Sequence, residues 1–423
     1  MKRVVGFFVI LAVFQNSFSA CSKESPLVSN QPIVVQSTLN VSSPKAFYHT
    51  LTKVLNEYKT PERRMALADS IYLVAKSKNW IPIVFGDTAV FFYKHSSTAA
   101  ATIQVYGDLN GWSDTKSPQI SLTNIAGTKL YWAVYKAPAS TARVDYKLVV
   151  NGSWVMDPGN PRQAWGGYGP NSELALGDYV YTPYVTERAT GNKGTLSANI
   201  KIHSDSLNYD INYRVYLPYG YSTSTSYPLL VTTDGQEYSD KLLGATTVVA
   251  DNLLMDGLIK PLVIVFVDPR DPATSTNKRA DQYVNNRKFT AFLAVELMKK
   301  LKANYSIAAT PDKTAILGTS LGGINSAFTG ILRPDVFGLI GIQSPAFWYY
   351  PAVQTMYADA PKAQLKIYMD TGTLYDTQEN ALQMKAIMES KGYPLNYAEY
   401  CEGHSWANWR ARIDDVLIYF FGK

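Results

Sequence analysis

Residues 314–326 read TAILGTSLGGINS, and this stretch decides how the rest of the chain is interpreted. It opens with a short apolar run typical of a buried strand, and a helical pattern follows at residues 324–332. Between them, residues 318–322 fit the pattern G-x-S-x-G. A serine raised on a sharp strand-to-helix turn needs small residues two places on either side, because larger side chains would collide with the strand or the helix. The stretch therefore predicts a nucleophile at Ser320, but the pattern also occurs by chance, so its context matters.

The chain around this motif alternates strands with helices. From residue 211 onward, strand-like runs are separated by helical patterns such as residues 289–302. This alternation predicts an α/β layered domain with a mostly parallel sheet. In such sheets, active groups gather beyond the carboxyl ends of the strands, where Ser320 is expected. The predicted strands cover residues 213–217, 228–233, 262–267, 314–317, 338–342, 365–369 and 395–400.

A serine hydroxyl becomes a good nucleophile only when a base takes its proton and an acid orients that base. Folds built on the G-x-S-x-G turn place serine, acid and histidine in that chain order. The chain has four histidines, and only His404 follows Ser320. His404 is therefore the predicted base, against the alternative of an ordinary histidine in a surface loop.

Two aspartates are candidates for the acid. Asp370 ends a predicted strand, and Asp376 follows in the loop Gly372-Thr373-Leu374-Tyr375-Asp376, at a predicted helix start. We favour Asp376 because the loop carries it past the strand end, within reach of an imidazole. The alternatives are that Asp376 only caps the helix and that Asp370 binds backbone in the turn.

The oxyanion hole requires two backbone N–H donors, one of them on the residue after the nucleophile. That residue is Leu321. The second donor is expected in a loop after an early strand, and Gln236 in Thr233-Asp234-Gly235-Gln236 fits this position.

The N-terminal half has a different texture. Two helical patterns are followed by short alternating strands, and Asn110-Gly111 and Asn151-Gly152 are turn signals between them. This pattern predicts a small β-sandwich ahead of the α/β domain. The predicted helices cover residues 45–58 and 61–77, and the predicted strands cover residues 90–93, 101–106, 130–135 and 145–150. The predicted divisions are a helical preamble and β-sandwich over residues 44–181, a linker over 182–206 and an α/β domain over 207–423.

Residues 1–20 read as an export signal, with a basic start, an apolar run too short to span a bilayer, and small residues at the cleavage site. Cys21 follows at once, which resembles a bacterial lipoprotein signal whose cysteine becomes lipidated. Residues 21–43 suit a flexible tether from such an anchor. We therefore predict an envelope lipoprotein, with simple secretion as the alternative.

The composition narrows the function classes. Hydrophobic residues make up 46% and charged residues 17% of the chain, which is ordinary for a globular protein. A formal net charge of +6, evenly spread, argues against a nucleic-acid partner. Only Cys401 remains after Cys21, so no disulfide within the mature domains is expected. The scattered histidines predict no metal site, and no cofactor is predicted.

Further motifs follow one another along the second half of the chain. With them, the chain from about residue 213 resembles the enterochelin-esterase-like branch of the esterase D superfamily, which includes feruloyl esterases of carbohydrate esterase family 1. The motifs are Asp234-Gly235-Gln236-Glu237-Tyr238, Val267-Asp268, Arg279 with Tyr283, Gly318-Thr319-Ser320-Leu321-Gly322-Gly323, Gln343-Ser344-Pro345-Ala346-Phe347-Trp348, and Gly403-His404-Ser405-Trp406 with Trp409.

The resemblance implies an α/β-hydrolase fold and a triad of Ser320, Asp376 and His404, with an oxyanion donor at Gln236. The chain departs from the family pattern in three places. Glu402 stands where a glycine usually precedes Gly-His, Ser405 where an aspartate often follows, and Pro345 where glycine is common.

Motifs in the N-terminal half carry a second resemblance. Residues 107–112 (GDLNGW), 151–154 (NGSW), 157–161 (DPGNP) and 169–172 (GPNS) resemble the immunoglobulin-like module that precedes such esterases and is related to starch-binding modules. The resemblance implies that the module frames the active site. Sugar contact through Trp112 or Trp154 is one interpretation; the other is that these tryptophans pack the sandwich, since tryptophan is highly buried on average.

Together these features predict a serine esterase that acts through an acyl-enzyme on Ser320. A feruloyl or acetyl ester of plant polysaccharide is favoured over a catecholate siderophore trilactone, because the export signal indicates work outside the cell. Trp348 and Trp406 are candidates to bind an aromatic acyl group, and Arg279 to meet an anionic complex. A non-catalytic glycan-binding protein on the same scaffold is the third hypothesis, and its mark would be a broken triad.

Overall fold

The computed structural model describes residues 43–57, 60–308 and 310–423. The predicted export signal over residues 1–20, the predicted lipidation residue Cys21 and the tether as far as residue 42 lie outside the described residues. Within the described ranges, no helix is both long enough and apolar enough to cross a membrane.

Two helices open the described chain, as the sequence predicts: α1 (Pro44–Glu57) and α2 (Pro61–Ser77). α2 begins with proline in its first turn, where the missing N–H would have no helical partner. Both helices bury apolar side chains, including Phe47 and Ile71, against Phe92 on one face of the first β-sheet. This packing attaches the helical preamble to the β-rich region.

The β-rich region consists of two antiparallel sheets, β1-β2-β6-β5 and β4-β3-β7-β10-β9, with β8 paired to β7. Their facing side chains, such as Phe91, Val105 and Tyr146, form one core. The predicted β-sandwich is therefore present, while the immunoglobulin-like comparison remains a prediction. We call residues 83–175 the module. Its strands are β1 (Ile83–Phe85), β2 (Thr88–Lys94), β3 (Ile103–Gly107), β4 (Ile120–Ser121), β5 (Thr123–Asn124), β6 (Leu130–Lys136), β7 (Arg143–Val150), β8 (Ser153–Val155), β9 (Gln163–Gly166) and β10 (Gly169–Ala175).

The second half of the chain is built on one large mixed sheet. Its order is β11-β13-β15-β14-β16-β17-β18-β19, with β12 paired to β13. The six strands β15-β14-β16-β17-β18-β19 run parallel. The strands are β11 (Thr195–Leu196), β12 (Ile200–Ser204), β13 (Tyr209–Leu217), β14 (Leu229–Thr232), β15 (Val263–Asp268), β16 (Thr314–Thr319), β17 (Leu339–Gln343), β18 (Lys366–Gly372) and β19 (Leu395–Tyr400).

Helices cover both faces of this sheet, which gives the predicted α/β architecture. Alternate residues of each central strand enter different cores: Val231 contributes to one and Leu230 to the other. Strands that are buried on both faces consist of nearly continuous apolar residues, and this pattern made them predictable from the sequence. The helices are α3 (Gly235–Tyr238), α4 (Thr246–Met255), α5 (Arg279–Tyr283), α6 (Arg287–Ala291), α7 (Met298–Asn304), α8 (Leu321–Leu332), α9 (Ala352–Asp359), α10 (Gln378–Ser390), α11 (Trp406–Arg410) and α12 (Ile413–Phe421).

Two stretches differ from the sequence prediction. The predicted linker, residues 182–206, contains β11 and β12, which pair with β13 and so belong to the large sheet. The helix predicted over residues 289–302 is three segments: α6, a π-helical segment (Phe292–Leu297) and α7.

The module and the α/β domain share part of one core. Leu374, from the loop between β18 and α10, is buried among the side chains of the sandwich, and Cys401 packs against the same cluster. The backbone N–H of Arg143 in β7 donates to the carbonyl of Cys401 at 3.0 Å. The two regions therefore meet through loops at the carboxyl ends of β18 and β19.

Candidate active site

Ser320 lies between the end of β16 and the first residue of α8. Its backbone angles, φ 60° and ψ −116°, are outside the regions that L residues ordinarily occupy. A Cβ added at Gly318 would collide with the backbone carbonyl of Gly322, and one at Gly322 would lie 2.8 Å from Oγ1 of Thr233. The glycines of the motif therefore allow the strained turn that raises the Ser320 side chain into the cleft.

The structure brings the predicted serine, histidine and preferred aspartate together. His404 Nε2 lies 2.9 Å from Ser320 Oγ, and His404 Nδ1 lies 2.6 Å from Asp376 Oδ1. The three side chains follow the carboxyl ends of β16, β18 and β19, which lie in the parallel part of the sheet with β17 between β16 and β18. This is the arrangement in which an imidazole can take the proton of a serine hydroxyl.

The Asp376 carboxylate is buried and fully occupied by donors. Oδ2 accepts hydrogen bonds from the backbone N–H of Gly372 at 2.7 Å and from the Ser344 hydroxyl at 2.6 Å. Burial opposes ionisation, but the hydrogen bonds from His404, Ser344 and Gly372 outweigh it and lower the pKa of Asp376. The carboxylate is therefore charged and correctly placed to orient the imidazole.

Asp370, the alternative acid, lies inside β18 and faces a different partner. Its Oδ2 accepts a hydrogen bond of 3.2 Å from the amide of Gln343. Burial raises the pKa of Asp370 to about 7. The geometry thus joins His404 to Asp376, and Asp370 serves the packing beneath the site.

The two predicted oxyanion donors lie at the same edge of the sheet. Leu321 is the first residue of α8, and Gln236 is the second residue of α3, which follows the neighbouring parallel strand β14. N–H groups in the first turn of a helix have no acceptor within that helix, so they are available to a developing negative charge. Their assignment as the oxyanion hole stays a prediction.

Arg279 connects the two loops that carry these donors. Its Nε donates to Asp234 Oδ1 at 2.8 Å, and its Nη2 donates to the carbonyl of Thr319 at 2.9 Å. Asp234 has a left-handed backbone (φ 55°), and its N–H donates to the hydroxyl of Tyr283 at 2.7 Å. Arg279 also lines the cleft, and its role in substrate binding stays a prediction; its Nε and Nη2 groups are already engaged by the Asp234 carboxylate and the Thr319 carbonyl.

A cleft with two pockets opens above Ser320 and His404. The first pocket, about 560 Å³, is also lined by Glu237 and Trp406, and the second, about 380 Å³, by Trp348 and Tyr375. The two predicted tryptophans therefore lie in different pockets. Trp348 is 64% exposed and free to contact a ligand, whereas Trp406 is buried and donates from Nε1 to Glu237 Oε2 at 2.8 Å.

The module lines part of the cleft with Trp112, which the sequence analysis named as a candidate for sugar contact, and with Asp108 and Lys147, which it missed. Asp108 and Trp112 line both pockets, and Lys147 lines the first. Asp108 is only 3% exposed and accepts hydrogen bonds from Trp112 Nε1 at 3.0 Å and from the N–H of Asp145 at 2.8 Å. Burial, together with the nearby Asp145 carboxylate, raises the pKa of Asp108 to about 8. Asp108 and Trp112 belong to the motif GDLNGW, which carries the resemblance to a module that frames the active site, but the motif does not indicate which of its residues lie near Ser320.

A further support of the acid was also missed. Trp409 Nε1 donates to Ser344 Oγ at 2.9 Å, and the Trp409 ring stands nearly perpendicular to the His404 ring at 4.9 Å between centroids. Ser344, which donates to Asp376, is therefore itself held in one orientation. Both residues stand in motifs noted above, which is the only signal that the sequence offered. Among the described residues, no cluster of His, Cys, Asp and Glu could hold a metal ion.

The chain is similar to known esterases. The family model described as "Putative esterase" matches residues 204–420, half of the chain. The endo-1,4-beta-xylanase/feruloyl esterase of Xylanibacter ruminicola is 25% identical over 291 residues, which cover 65% of this chain and 38% of that protein. The iron(III) salmochelin esterase of Escherichia coli is 24% identical over 222 residues, covering 48% of this chain and 53% of that protein.

A solved structure shares the fold over most of the chain. The enterobactin esterase of Shigella flexneri, crystallised in the presence of enterobactin, superposes with a TM-score of 0.65 and 20% identity. The match covers 78% of this chain and 92% of that one, which is more than the α/β domain alone spans.

Proposed function

Because the chain belongs to the esterase family and is a carboxylic ester hydrolase, we propose that Ser320, His404 and Asp376 carry out the hydrolysis. The observation that supports this assignment is the unbroken series of hydrogen bonds from Ser320 Oγ through the imidazole to the Asp376 carboxylate.

In the proposed reaction, Ser320 Oγ attacks the ester carbonyl while its proton passes to His404 Nε2. The backbone N–H groups of Leu321 and Gln236 stabilise the oxyanion that forms. The alcohol leaves with the proton from His404, and an acyl group remains on Ser320. Water then attacks the acyl-enzyme, with His404 as base again, and releases the acid. Asp376 keeps the imidazole in the productive tautomer throughout.

The experiment that tests this proposal is hydrolysis of a simple aryl acetate by Ser320→Ala and His404→Ala. Triad residues act as a unit, so each change should lower kcat by a similar factor, on the order of 10⁴ or more. Ser390→Ala, a serine-to-alanine change on the exposed end of α10, is the matched control and should leave the rate unchanged. Near wild-type turnover by Ser320→Ala would refute the proposal.

For the substrate, we propose a carbohydrate-linked ester with an aromatic or acetyl acyl group. Trp112 and Trp154 stack at 6.3 Å between centroids with 23° between their planes, and they are 36% and 52% exposed. Trp112 also lines both pockets, so the exposed aromatic surface continues from the cleft onto the module. The likeness to a xylanase/feruloyl esterase supports the same substrate class. We assign the sugar to the Trp112–Trp154 surface and the acyl group to the second pocket beside Trp348.

A catecholate siderophore ester is the second candidate. Two cationic side chains, Lys147 and Arg279, line the first pocket and would meet an anionic complex, and the likeness to a salmochelin esterase favours this substrate. It predicts rapid cleavage of ferric enterobactin, little response to an attached sugar, and a strong loss on Lys147→Gln. A panel of methyl ferulate, aryl acetates, feruloylated arabinoxylan fragments and ferric enterobactin separates the two candidates.

We also propose that the protein is exported and anchored by a lipid on Cys21. The pattern of residues 1–21 supports this location. The several acyl chains of a lipoprotein anchor hold a protein stably on a membrane. Wild-type protein should therefore fractionate with membranes, and Cys21→Ser should release it or leave it unprocessed. Wild-type protein found wholly in the soluble fraction would favour simple secretion.

A further inference from the structure

Three consecutive residues in front of His404 contact the module. The carbonyl of Cys401 accepts a hydrogen bond of 3.0 Å from the backbone N–H of Arg143, and the Glu402 carboxylate lies 3.4 Å from Arg143 Nη1. Gly403 packs directly against Asp108, so closely that an added Cβ would collide with the Asp108 carboxyl group. The loop that leads into His404 is therefore held residue by residue from outside the α/β domain.

Glu402 is buried and makes the central contact of this loop. Besides Arg143, its carboxylate accepts a hydrogen bond of 2.6 Å from Arg412 Nη2, just before α12. Its backbone carbonyl accepts from the N–H of Leu374, which lies in the loop that also carries Asp376. Removing one partner of a buried carboxylate strongly destabilises the folded protein. The Glu402 side chain is therefore held in the position where it contacts both arginines.

Arg143 is also held through its guanidinium by partners within the module. Its side chain is buried and paired within the module, with Asp145 at 2.7 Å from Nη2 and Glu173 at 3.0 Å from Nε. Nη1 is the part of the guanidinium that faces Glu402. Because Nη2 and Nε are already bound inside the module, the planar guanidinium places Nη1 against Glu402 with little further loss of side-chain freedom.

We propose that the module is a positioning element for His404: Arg143 and Asp108, acting on Glu402 and Gly403, fix the loop that holds the imidazole between Ser320 and Asp376. This inference rests on the proposed role of His404 as the base. A proton transfer requires its partners within hydrogen-bond reach, and misplacing a catalytic group by about 1 Å can cost on the order of 10²-fold in rate. The module would then affect chemistry on esters too small to touch it.

The test is the acylation burst of the full-length protein with 4-nitrophenyl acetate, together with active-site titration by an aryl phosphonate. Glu402→Gln keeps the volume of the side chain but removes its charge, and Arg143→Lys keeps the charge but removes the fork. Both variants should show a slower burst, about tenfold to 10²-fold, at full amplitude and with little change in KM. Glu187→Gln, the same change in an exposed ion pair with Lys193 and Lys241, is the control and should leave the burst unchanged.

The amplitude and the rate separate the outcomes. Sites lost to unfolding lower the titrated amplitude, whereas a displaced imidazole lowers the rate at each titrated site. A wild-type burst rate in both variants, with or without reduced amplitude, would overturn the inference and leave the triad standing. Wild-type protein that forms no phosphonate adduct on Ser320 would instead refute the proposed function.

Discussion

The two sides of the cleft are built on different principles. On the α/β side, Ser320, Asp376 and His404 follow the carboxyl ends of three parallel strands of one sheet, and each is fixed by hydrogen bonds. On the module side, Trp112 comes from a tight turn and presents partly exposed aromatic surface. The carboxyl ends of parallel strands lie at one edge of a sheet, so catalytic side chains that follow these strands come close together. Turns of a second domain can add ligand-binding residues to the same site.

Two buried carboxyl groups line the same cleft, and their pKa values move in opposite directions. Donors around Asp376 outweigh its burial and lower the pKa, whereas burial and the neighbouring Asp145 carboxylate raise the pKa of Asp108 to about 8. Of the two carboxyl groups, Asp376 makes the hydrogen bond to His404 Nδ1, and the groups that donate to it favour its charged form. Asp108 accepts hydrogen bonds from Trp112 and from the backbone of Asp145 instead.

The largest expected effect lies on the α/β side. Asp376→Asn should lower kcat by about 10⁴-fold, because the amide leaves the imidazole in the wrong tautomer. Asp370→Asn is the matched control: it should lower thermal stability and leave kcat close to wild type, since Asp370 pairs with Gln343. Steady-state hydrolysis of an aryl acetate and thermal unfolding measure the two effects. The reverse ranking would show that the acid is Asp370.

Arg279 should give the next largest effect. Arg279→Gln frees the loops that carry Gln236 and Leu321, and losing an oxyanion donor costs about 10²- to 10³-fold in kcat. The control is Arg270→Gln, which breaks a comparable pair with Asp268 just after β15. If the variant keeps kcat and only raises KM, Arg279 binds substrate and does not order the oxyanion hole.

A smaller effect is expected on the module side. Trp154→Ala should lower kcat/KM for feruloylated oligosaccharides by about tenfold, which corresponds to roughly 1.4 kcal/mol of lost stacking, and should leave methyl ferulate unaffected. Trp165→Ala removes another partly exposed tryptophan of the module and serves as the control. An equal loss on both substrates would mean that Trp154 supports the fold of the module and not the sugar.

A further prediction concerns stability and pH and not catalysis. Because folded Asp108 titrates at about 8 and an ordinary aspartate at 3.8, the folded state holds a proton that the unfolded state has lost between these values. This difference lowers the free energy of unfolding as pH rises through that window. Asp108→Asn should flatten the decline, as measured by denaturant unfolding at pH 5 and pH 8. An unchanged slope would show that Asp108 does not contribute it.

The sequence revealed the two regions unequally. Ser320 and His404 could be found because a local motif and chain order define them, and the central strands because burial on both faces makes each a continuous apolar run. The prediction of a linker over residues 182–206 was wrong because β11 and β12 are short strands at the edge of the sheet with few apolar residues. The pair Arg143–Glu402 could not be found, since 259 positions separate its members and only the folded chain brings them together.

The most direct test of the account is the site of covalent labelling by an aryl phosphonate, mapped by peptide mass spectrometry in wild-type protein and His404→Ala. We predict one adduct per molecule on Ser320 in wild-type protein, because the hydrogen bond to His404 activates that hydroxyl, and a rate of labelling lower by orders of magnitude in His404→Ala. An adduct on another residue, or labelling of His404→Ala at the wild-type rate, would contradict the account.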